Sequence, residues 1–544
     1  MLKNNLINIL IIIALYSCTG GNMGNNKKIF YYNESKGIAS LDPAFARNQA
    51  VIWVVSQLYN GLVQLDDSLN VVPSIAKKYF VSKDGKEYTF ILRDDVFFQD
   101  NRVFHNGKGR RVNAYDFEFS FNRIIDSSVA SPGRWIFSNV DKSKGNMGFF
   151  AENDSVFKIY LKKPLSSFIG ILTMPYCYVV PHEAVEYYGK DFRSNPVGTG
   201  PFYLKLWVEG EKLIMRKNEN YFEKDCNGNK LPYLDGIVIS FVVDKQSEFM
   251  QFMTGRIDFI SGVNPGFKDE LLTANGELNP KYNDKFKMYK CPYLNIEYLG
   301  IMVDTNIIHS TKNPLCDINF RKAINLAIDR QKLVYFLRNN IGSPANHGFV
   351  PQGFLLFDET PTKGFEYDPD SAIKLLKKTG LYNTLSIEPF TIYTSSDYLD
   401  VCEYIQHELE KINISCNIEV VSGIAYREML ANSKMQVFRA SWIADYPDPE
   451  NFFALFYSKN FCPNGPNYTH FKNAVYDLIY ENALTEQNIL KRNLMYHQLD
   501  SIIIENAIVV PLFYDNAVRF SQKNVYGLKV NPLNFLNLSK VYKN

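Results

Sequence analysis

The pattern of apolar and polar residues between positions 390 and 451 predicts three strands separated by two helices. Apolar and β-branched residues fill segments 390–394, 414–421 and 435–443, which is typical of strands. Apolar residues recur on one helical face through residues 397–412, and residues 424–431 favour a shorter helix. Strands connected in this way run parallel, and ligands of such sheets bind beyond the carboxyl ends of the strands.

Asp445 lies just past the last of these strands. The helix-breaking sequence Asp445-Tyr446-Pro447-Asp448-Pro449 ends the strand abruptly. This position makes Asp445 a candidate ligand-binding residue. The alternative is a purely structural role, in which Asp445 and Asp448 cap a turn or the helix that begins near Asn451.

The rest of the chain also alternates between strand and helix patterns. The predicted strands are residues 28–33, a hairpin of 79–82 with 87–93, a hairpin of 203–207 with 212–216, and 236–243, 257–260, 508–514, 525–528 and 535–538. The predicted helices are residues 47–59, 114–125 capped by Asn113, 245–254, a long helix 318–338, a helix from Asp368 to Gly380, and 486–505.

The first 17 residues have the pattern of a bacterial lipoprotein signal peptide. Lys3 precedes an apolar run, and Leu15-Tyr16-Ser17-Cys18 resembles a lipobox. We therefore expect residues 1–17 to be removed, Cys18 to carry lipid, and residues 18–27 to form a tether. This predicts a protein of the cell envelope, facing the periplasm or the exterior and anchored to a lipid bilayer. Which membrane holds the anchor stays open.

Composition and motifs exclude several classes of function. The net charge of +2 gives no indication of nucleic-acid binding, and 544 residues predict two or three domains. The seven cysteines besides Cys18 are an odd number, so they cannot all pair within the chain. We find no His-Glu-x-x-His, Gly-x-Ser-x-Gly or Cys-x-x-Cys motif, and the sequence predicts neither catalytic nor metal-binding residues.

Four segments resemble one known family. The sequence from Trp442 to Pro449 closely resembles a signature of the solute-binding proteins that serve peptide and nickel ABC importers, the dipeptide- and oligopeptide-binding proteins. Leu41-Asp42-Pro43, Asn195-Pro196-Val197-Gly198-Thr199-Gly200-Pro201-Phe202 and the segment 320–330 are similar to other motifs of that family. The resemblance extends over essentially the whole chain after the signal peptide.

The resemblance implies an α/β, two-lobed periplasmic-binding-protein-like fold, type II and cluster C-like. Lobe I would be discontinuous, built from residues 28–60, 190–290 and 515–544, and residues 61–189 would form an inserted α+β subdomain. Lobe II would span residues 291–514. The chain would cross between the lobes near residues 291–298 and near Tyr514.

The resemblance also implies a function without enzyme activity or cofactor. A monomeric protein would capture short peptides in the cleft between its lobes and deliver them to the permease of an ABC transporter. Asp445 would bind the peptide α-amine, Trp442 would form an apolar wall, and Ser441 and Ala444 would add backbone contacts. Arg439 would face the peptide carboxylate, although an interlobe or surface ion pair is its alternative role.

Two other functions stay open from the sequence. The same scaffold would suit a non-peptide cargo such as a nickel chelate, haem or a sugar, because the cargo of this family varies. A secreted peptidase or hydrolase is disfavoured, since the motifs for a nucleophile or a catalytic metal are missing.

Overall fold

The structure is a computed structural model, and it describes residues 27–307, 313–354, 357, 361–380 and 389–544. The predicted signal peptide, Cys18 and nearly all of the tether lie outside the described residues. Among the helices that are described, none has both the length and the apolar character needed to span a membrane.

Most of the segments that were predicted as strands are strands in the structure. In chain order they are β1 Ile29–Asn33, β2 Val63–Leu65, β3 Val71–Pro73, β4 Ala76–Val81, β5 Glu87–Leu92, β6 Phe149–Asn153, β7 Val156–Tyr160, β8 Phe202–Val208, β9 Lys212–Lys217, β10 Gly236–Ser240, β11 Phe259–Ser261, β12 Phe286–Ile301, β13 Ser343–Pro344, β14 Phe390–Thr394, β15 Cys416–Val420, β16 Val437–Ile443, β17 Val509–Gln522, β18 Val525–Tyr526 and β19 Tyr542–Lys543.

The helices lie between these strands along the chain. In chain order they are α1 Gln49–Leu58, α2 Ala114–Ile125, α3 Phe168–Ile171, α4 His182–Tyr188, α5 Lys245–Met253, α6 Lys268–Leu271, α7 Ile318–Ala327, α8 Arg330–Arg338, α9 Pro369–Thr379, α10 Leu399–Glu410, α11 Gly423–Ala431, α12 Glu450–Phe453, α13 Ala474–Thr485 and α14 Ile489–Asn506.

Two long antiparallel strands, β12 and β17, connect the two halves of the main sheet. The strand order is β15-β14-β16-β12-β17-β11-β1-β10-β9-β8. The first half of β12 pairs with the second half of β17, and the pairing shifts register between Pro292 and Ile296. Beyond that shift, β12 pairs with β16 on its other side, whereas β11 pairs with the far end of β17. The main sheet is therefore continuous through β12 and β17, and the division of the chain into lobes stays a prediction.

The strand directions agree with the patterns in the sequence. β14 runs parallel to both β15 and β16, which confirms the predicted succession of parallel strands and helices before Asp445. β1 runs parallel to β10 and to β11, as expected for strands that flank a crossover helix. The carboxyl end of β16 therefore lies at the edge of the sheet where ligand-binding groups are expected.

A separate antiparallel sheet lies within residues 61–189. Its strand order is β4-β5-β7-β6, and the tight connection between β4 and β5 confirms the predicted hairpin. Helix α2 packs beside this sheet through Phe117 and Phe121, which are fully buried. The Asn113 side chain accepts from Asp116 N–H, and the Asp116 carboxylate accepts from Asn113 N–H, so a capping box fixes the helix start.

Two predicted elements differ in the structure. The predicted helix 318–338 is broken into α7 and α8, because Ile328 is extended and the Asp329 side chain caps α8 by accepting from Lys332 N–H at 3.0 Å. Residues 535–538 are not a strand. Instead, their backbone binds Gln57 on α1, which donates to Leu536 O at 2.7 Å and accepts from Leu538 N–H at 3.2 Å. Local periodicity does not reveal either feature, because each depends on a side chain that competes for backbone groups.

Arg330 connects α8 to the core of the second lobe. This buried guanidinium donates to Pro511 O at 2.5 Å, to Asn325 O at 2.9 Å and to Asn325 Oδ1 at 3.0 Å. Arg330→Ala should lower the free energy of unfolding by about 3 kcal/mol, because it leaves buried acceptors unpaired and opens a cavity. Urea unfolding followed by circular dichroism measures this change.

Lys332→Ala provides the matched control for Arg330→Ala. Lys332 is in the same helix, but its side chain is exposed and makes a surface ion pair with Asp329 at 3.0 Å. Its replacement should change the stability by less than about 1 kcal/mol. Equal unfolding midpoints for the two variants would contradict the structural role of Arg330.

Candidate functional site

The loop that follows β16 is held in one shape by Asn451. Its side chain accepts from Asp445 N–H at 3.0 Å and donates to Tyr446 O at 3.1 Å and to Asp448 O at 3.0 Å. Just before the loop, Ala444 N–H donates to Leu294 O on β12 at 2.9 Å. These bonds fix the backbone on both sides of Asp445, so the direction of its side chain is set by the fold.

The carboxylate of Asp445 has no hydrogen bond or ion pair with any described residue. The side chain is exposed to solvent, although the protein around it is dense enough to remove part of the hydration of its carboxylate. The loss of hydration raises the pKa of Asp445 to about 6. At neutral pH the site therefore offers a predominantly ionised carboxylate without a partner.

Tyr176, from a distant part of the chain, lies within electrostatic range of Asp445. Burial raises the pKa of Tyr176 to about 12, the Asp445 carboxylate adds to this rise, and Arg47 opposes it. The loop also contacts α3, where a Cβ atom added to Gly170 would lie 3.7 Å from Pro447 Cδ. Asp445 and its loop thus lie near segments that precede residue 180, although these are distant in the sequence.

Two buried carboxylates support the loop from behind. Glu450 accepts from the hydroxyls of Tyr446 and Tyr480, and Asp448 accepts from Tyr496 Oη at 2.8 Å. Burial raises the pKa of both carboxyl groups. Because tyrosine hydroxyls satisfy these acids, Asp448 and Glu450 are structural groups. Asp445 is the acid of this loop that remains available to a ligand.

The strand that leads to Asp445 has a partly open edge. β14 pairs with β16 only at Val437 and Phe438, so no described strand pairs with that edge from Arg439 to Ile443. The Tyr426 hydroxyl donates to Arg439 O, which leaves residues 440–443 as the unoccupied part. A row of free backbone groups at a strand edge is a template for an extended chain.

The other predicted site residues take distinct positions on β16. Trp442 is half-buried opposite Ile296, and its indole N–H is buried without a hydrogen-bond partner among the described residues. Ser441 is exposed, and Ala444 is buried at the end of the strand. Trp442, Ser441, Ala444 and Asp445 therefore form one continuous stretch along the open edge and its end.

Arg439 lies apart from this group. Its guanidinium forms an ion pair with the buried Glu297 on β12 and stacks on the Tyr398 ring at 3.1 Å from the centroid. Asn295 also donates to Glu297 Oε1 at 3.2 Å. The positive charge of Arg439 is thus already matched within the second lobe. Its predicted role toward a peptide carboxylate stays a prediction.

Sequence reasoning did not identify Arg47, Tyr176 or Glu297. The first two lie more than 260 residues from Asp445, and no local pattern connects them with the signature loop. Glu297 had a detectable signal, because a single acid within the apolar run of residues 294–302 indicates a buried partner. The structure supplies that partner as Arg439.

Within the described parts of the chain, no group of three His, Cys, Asp or Glu side chains is arranged to hold a metal ion. The site is instead an unpaired acid at the end of an open strand edge, in a fold whose main sheet is continuous through β12 and β17. Its architecture is that of a two-lobed binding protein.

The family model for bacterial extracellular solute-binding proteins, family 5 Middle, matches residues 70–461. The chain therefore belongs to this family of extracellular solute-binding proteins. Its members are the substrate-binding proteins of transporters, including peptide and nickel ABC importers. The predicted α/β, two-lobed periplasmic-binding-protein-like fold is confirmed.

Individual relatives extend over nearly the whole chain. The dipeptide-binding protein DppE of Bacillus subtilis (strain 168) is 25% identical over 541 residues, which cover 96% of this chain and 93% of DppE. The glutathione-binding protein GsiB of Shigella flexneri serotype 5b is 26% identical over 503 residues, covering 91% of this chain and 90% of GsiB.

Solved structures show the same fold. The periplasmic binding protein DppA from Helicobacter pylori, in complex with the peptide STSA, superimposes with a TM-score of 0.77 and 24% identity, covering 95% of this chain and 98% of DppA. NikZ from Campylobacter jejuni, in complex with Ni(L-His), gives a TM-score of 0.75 and 21% identity, covering 96% of this chain and all of NikZ.

The raised pKa of Asp445 predicts a measurable effect on stability. The pKa of this acid is higher in the folded protein than in the unfolded chain. The folded protein therefore loses stability as pH rises from about 4 to about 6 and the carboxyl group ionises. Asp445→Asn should therefore stabilise the ligand-free protein at pH 7.5 and have a smaller effect at pH 4. Urea midpoints at the two pH values measure the difference.

Asp397→Asn serves as the control, because Asp397 is an exposed acid on the same lobe. It should leave the midpoint nearly unchanged at both pH values. A lower midpoint for Asp445→Asn at pH 7.5 would show that the carboxylate stabilises the folded protein and has a partner within it.

Proposed function

We propose that the protein is a lipid-anchored, extracytoplasmic receptor that captures short peptides between its lobes and delivers them to an ABC transporter. The observation that carries this proposal is the unpaired Asp445 carboxylate at the end of the open edge of β16. This arrangement matches the two features common to all unmodified peptides, a protonated amine and a regular backbone.

The amine of a peptide would bind Asp445. An α-amino group has a pKa near 8, and the pKa of Asp445 is about 6, so both partners carry charge around neutral pH. A carboxylate that loses hydration without gaining an internal partner gains most from a cationic ligand. Binding should therefore weaken below pH 6, where Asp445 becomes protonated.

The peptide backbone would pair with the free edge of β16 at residues 440–443. Main-chain hydrogen bonds are the same for every peptide sequence, so this contact would supply affinity without selecting side chains. Trp442 would add an apolar wall beside this edge. Tyr176, which lies within electrostatic range of Asp445, would complete the site from a segment distant in the sequence.

The names of relatives support a peptide cargo. DppE is named a dipeptide-binding protein, GsiB a glutathione-binding protein, and the DppA structure holds a tetrapeptide. The nickel complex of NikZ belongs to the same fold at 21% identity, so another cargo is the principal competing hypothesis.

Native mass spectrometry of the protein incubated with a mixture of short peptides should show bound, intact peptides. Asp445→Asn should lower the affinity by about 2–5 kcal/mol, or thirtyfold and more, because it removes the charge that pairs with the amine. Acetylation of the peptide amine removes the other charge of the pair and should lower the affinity to a similar extent. Calorimetry with one bound peptide and with its N-acetylated form measures this loss.

Asp397→Asn should bind peptides as the parent protein does. Equal affinities for the free and N-acetylated peptide would remove Asp445 from the amine site. Recovery of cleaved peptides would support a peptidase instead, and a co-purified nickel chelate, porphyrin or sugar would show another cargo.

Lipid attachment at Cys18 is expected from the lipobox alone. Cells that express the full chain and grow with radioactive palmitate should incorporate label into the protein, and Cys18→Ala should abolish that label. The membrane fraction should contain the parent protein and lose the variant. Labelling of Cys18→Ala at the level of the parent would contradict a lipid anchor at this residue.

A further inference from the structure

A second cluster of chemically reactive side chains lies in the second lobe, outside the candidate peptide site. Cys462 Sγ is 3.2 Å from His470 Nε2 and 3.1 Å from Ser433 Oγ, and Ser433 Oγ is 3.0 Å from the same ring nitrogen. The other ring nitrogen, His470 Nδ1, is 3.5 Å from Asp304 Oδ2. A thiol, an imidazole and a carboxylate therefore lie next to one another in space, with the imidazole in the middle.

Three separate parts of the chain build this cluster. Asp304 follows β12, Ser433 follows the end of α11, and Cys462 and His470 belong to one loop after α12. The backbone joins the first and last of these parts, since Val303 N–H donates to Thr469 O at 3.0 Å. The His470 ring also stacks on Phe461, with ring centroids 4.5 Å apart, which holds the imidazole plane in place.

The cluster is remote from the peptide site. It lies beside the start of β16, where Met302 N–H donates to Gln436 O, whereas Asp445 follows the end of that strand. The seven residues of β16 separate the two sites by roughly 20 Å. Capture of a peptide amine at Asp445 therefore does not use the thiol.

A thiol beside an imidazole that is oriented by a carboxylate is the arrangement of an activated cysteine nucleophile. We infer that Cys462 is such an activated thiol and a modification site for small hydroperoxides. His470 would accept the thiol proton, Asp304 would stabilise the imidazolium that forms, and the Ser433 hydroxyl would donate to the thiolate.

The other cysteines provide a contrast within the same molecule. Burial raises the pKa of Cys402 to about 11 and that of Cys416 to about 12, as expected for inert thiols inside a core. Cys226 is an exposed free thiol. Neither Cys402, Cys416 nor Cys226 makes a contact with an imidazole among the described residues.

The reaction with hydrogen peroxide balances without a further reagent. The thiol proton moves to His470 Nε2, and the thiolate sulfur attacks one peroxide oxygen. The O–O bond breaks, and the departing hydroxide takes the proton from His470 to become water. Cys462 is oxidised to a sulfenic acid, the peroxide is reduced, and the imidazole returns to its neutral form.

The low exposure of the cluster restricts the size of the reagents that can reach the Cys462 sulfur. The exposed fraction of Cys462 is 6%, and that of the His470 side chain is 10%, next to the exposed residues Pro463 and Asn464. A sulfur with so little exposed surface is within reach of a molecule the size of hydrogen peroxide, whereas a peptide chain is too large to approach it. The cluster is therefore suited to oxidation of its own thiol rather than to peptide hydrolysis.

The test treats the folded full chain with hydrogen peroxide at pH 7 in the presence of dimedone, which traps sulfenic acids. Mass spectrometry then gives the labelling rate of Cys462, with Cys226 as the internal reference. His470→Gln should slow the labelling of Cys462 at least tenfold and leave Cys226 unchanged. Asp304→Asn should slow it to a smaller extent, and His407→Gln, at an exposed histidine, should have no effect.

Unfolding midpoints and peptide affinities of the variants show whether the fold and the peptide site are intact. If His470→Gln lowers the midpoint, Asp304→Asn decides the test, because Asp304 is more exposed. The inference is overturned if Cys462 is labelled only after unfolding, if both variants react at the parent rate, or if native mass spectrometry finds a metal ion on Cys462 that blocks labelling. None of these results would affect peptide binding at Asp445.

Discussion

The pairing of β12 with β17 is the constraint on which the rest of the structure depends. These strands run through the middle of the main sheet, and their register shifts between Pro292 and Ile296, where one half of the sheet passes into the other. Two ion pairs lie beside this passage, Arg439 with Glu297 and Arg338 with Asp515. Buried charges of this kind contribute less to net stability than to a single, defined arrangement of the strands that carry them.

The distribution of charge around β16 follows from this arrangement. Arg439 is neutralised by Glu297, and the acids behind the signature loop are satisfied by tyrosine hydroxyls or by Arg492. Asp445 alone among the acids of the loop keeps an unpaired carboxylate. The raised pKa of this group reflects the unfavourable free energy of a carboxylate that is partly dehydrated and has no partner. A cationic ligand would offset this free energy on binding.

Much of the fold could be predicted from sequence, because its elements follow local rules. The parallel strands before Asp445, the hairpin of β4 and β5 and the capped helix α2 have clear periodicity or turn residues. The predicted helix 318–338 and the predicted strand 535–538 were wrong for a common reason. In both places a polar side chain binds backbone groups that the predicted element would have used. Asp329 does so at the break between α7 and α8, and Gln57 does so at residues 535–538.

The sequence by itself determined the family, the strand that precedes Asp445 and the turn that contains it, since these depend on residues adjacent in the chain. Only the tertiary structure decided which charges find partners. Arg439 and Glu297 are 142 residues apart, Tyr176 and Asp445 are still more distant, and His470 meets Asp304 across 166 residues. Whether a side chain binds a ligand or a neighbour is settled by such distant contacts, because hydrogen bonds and ion pairs act over a few ångströms in space and not along the chain.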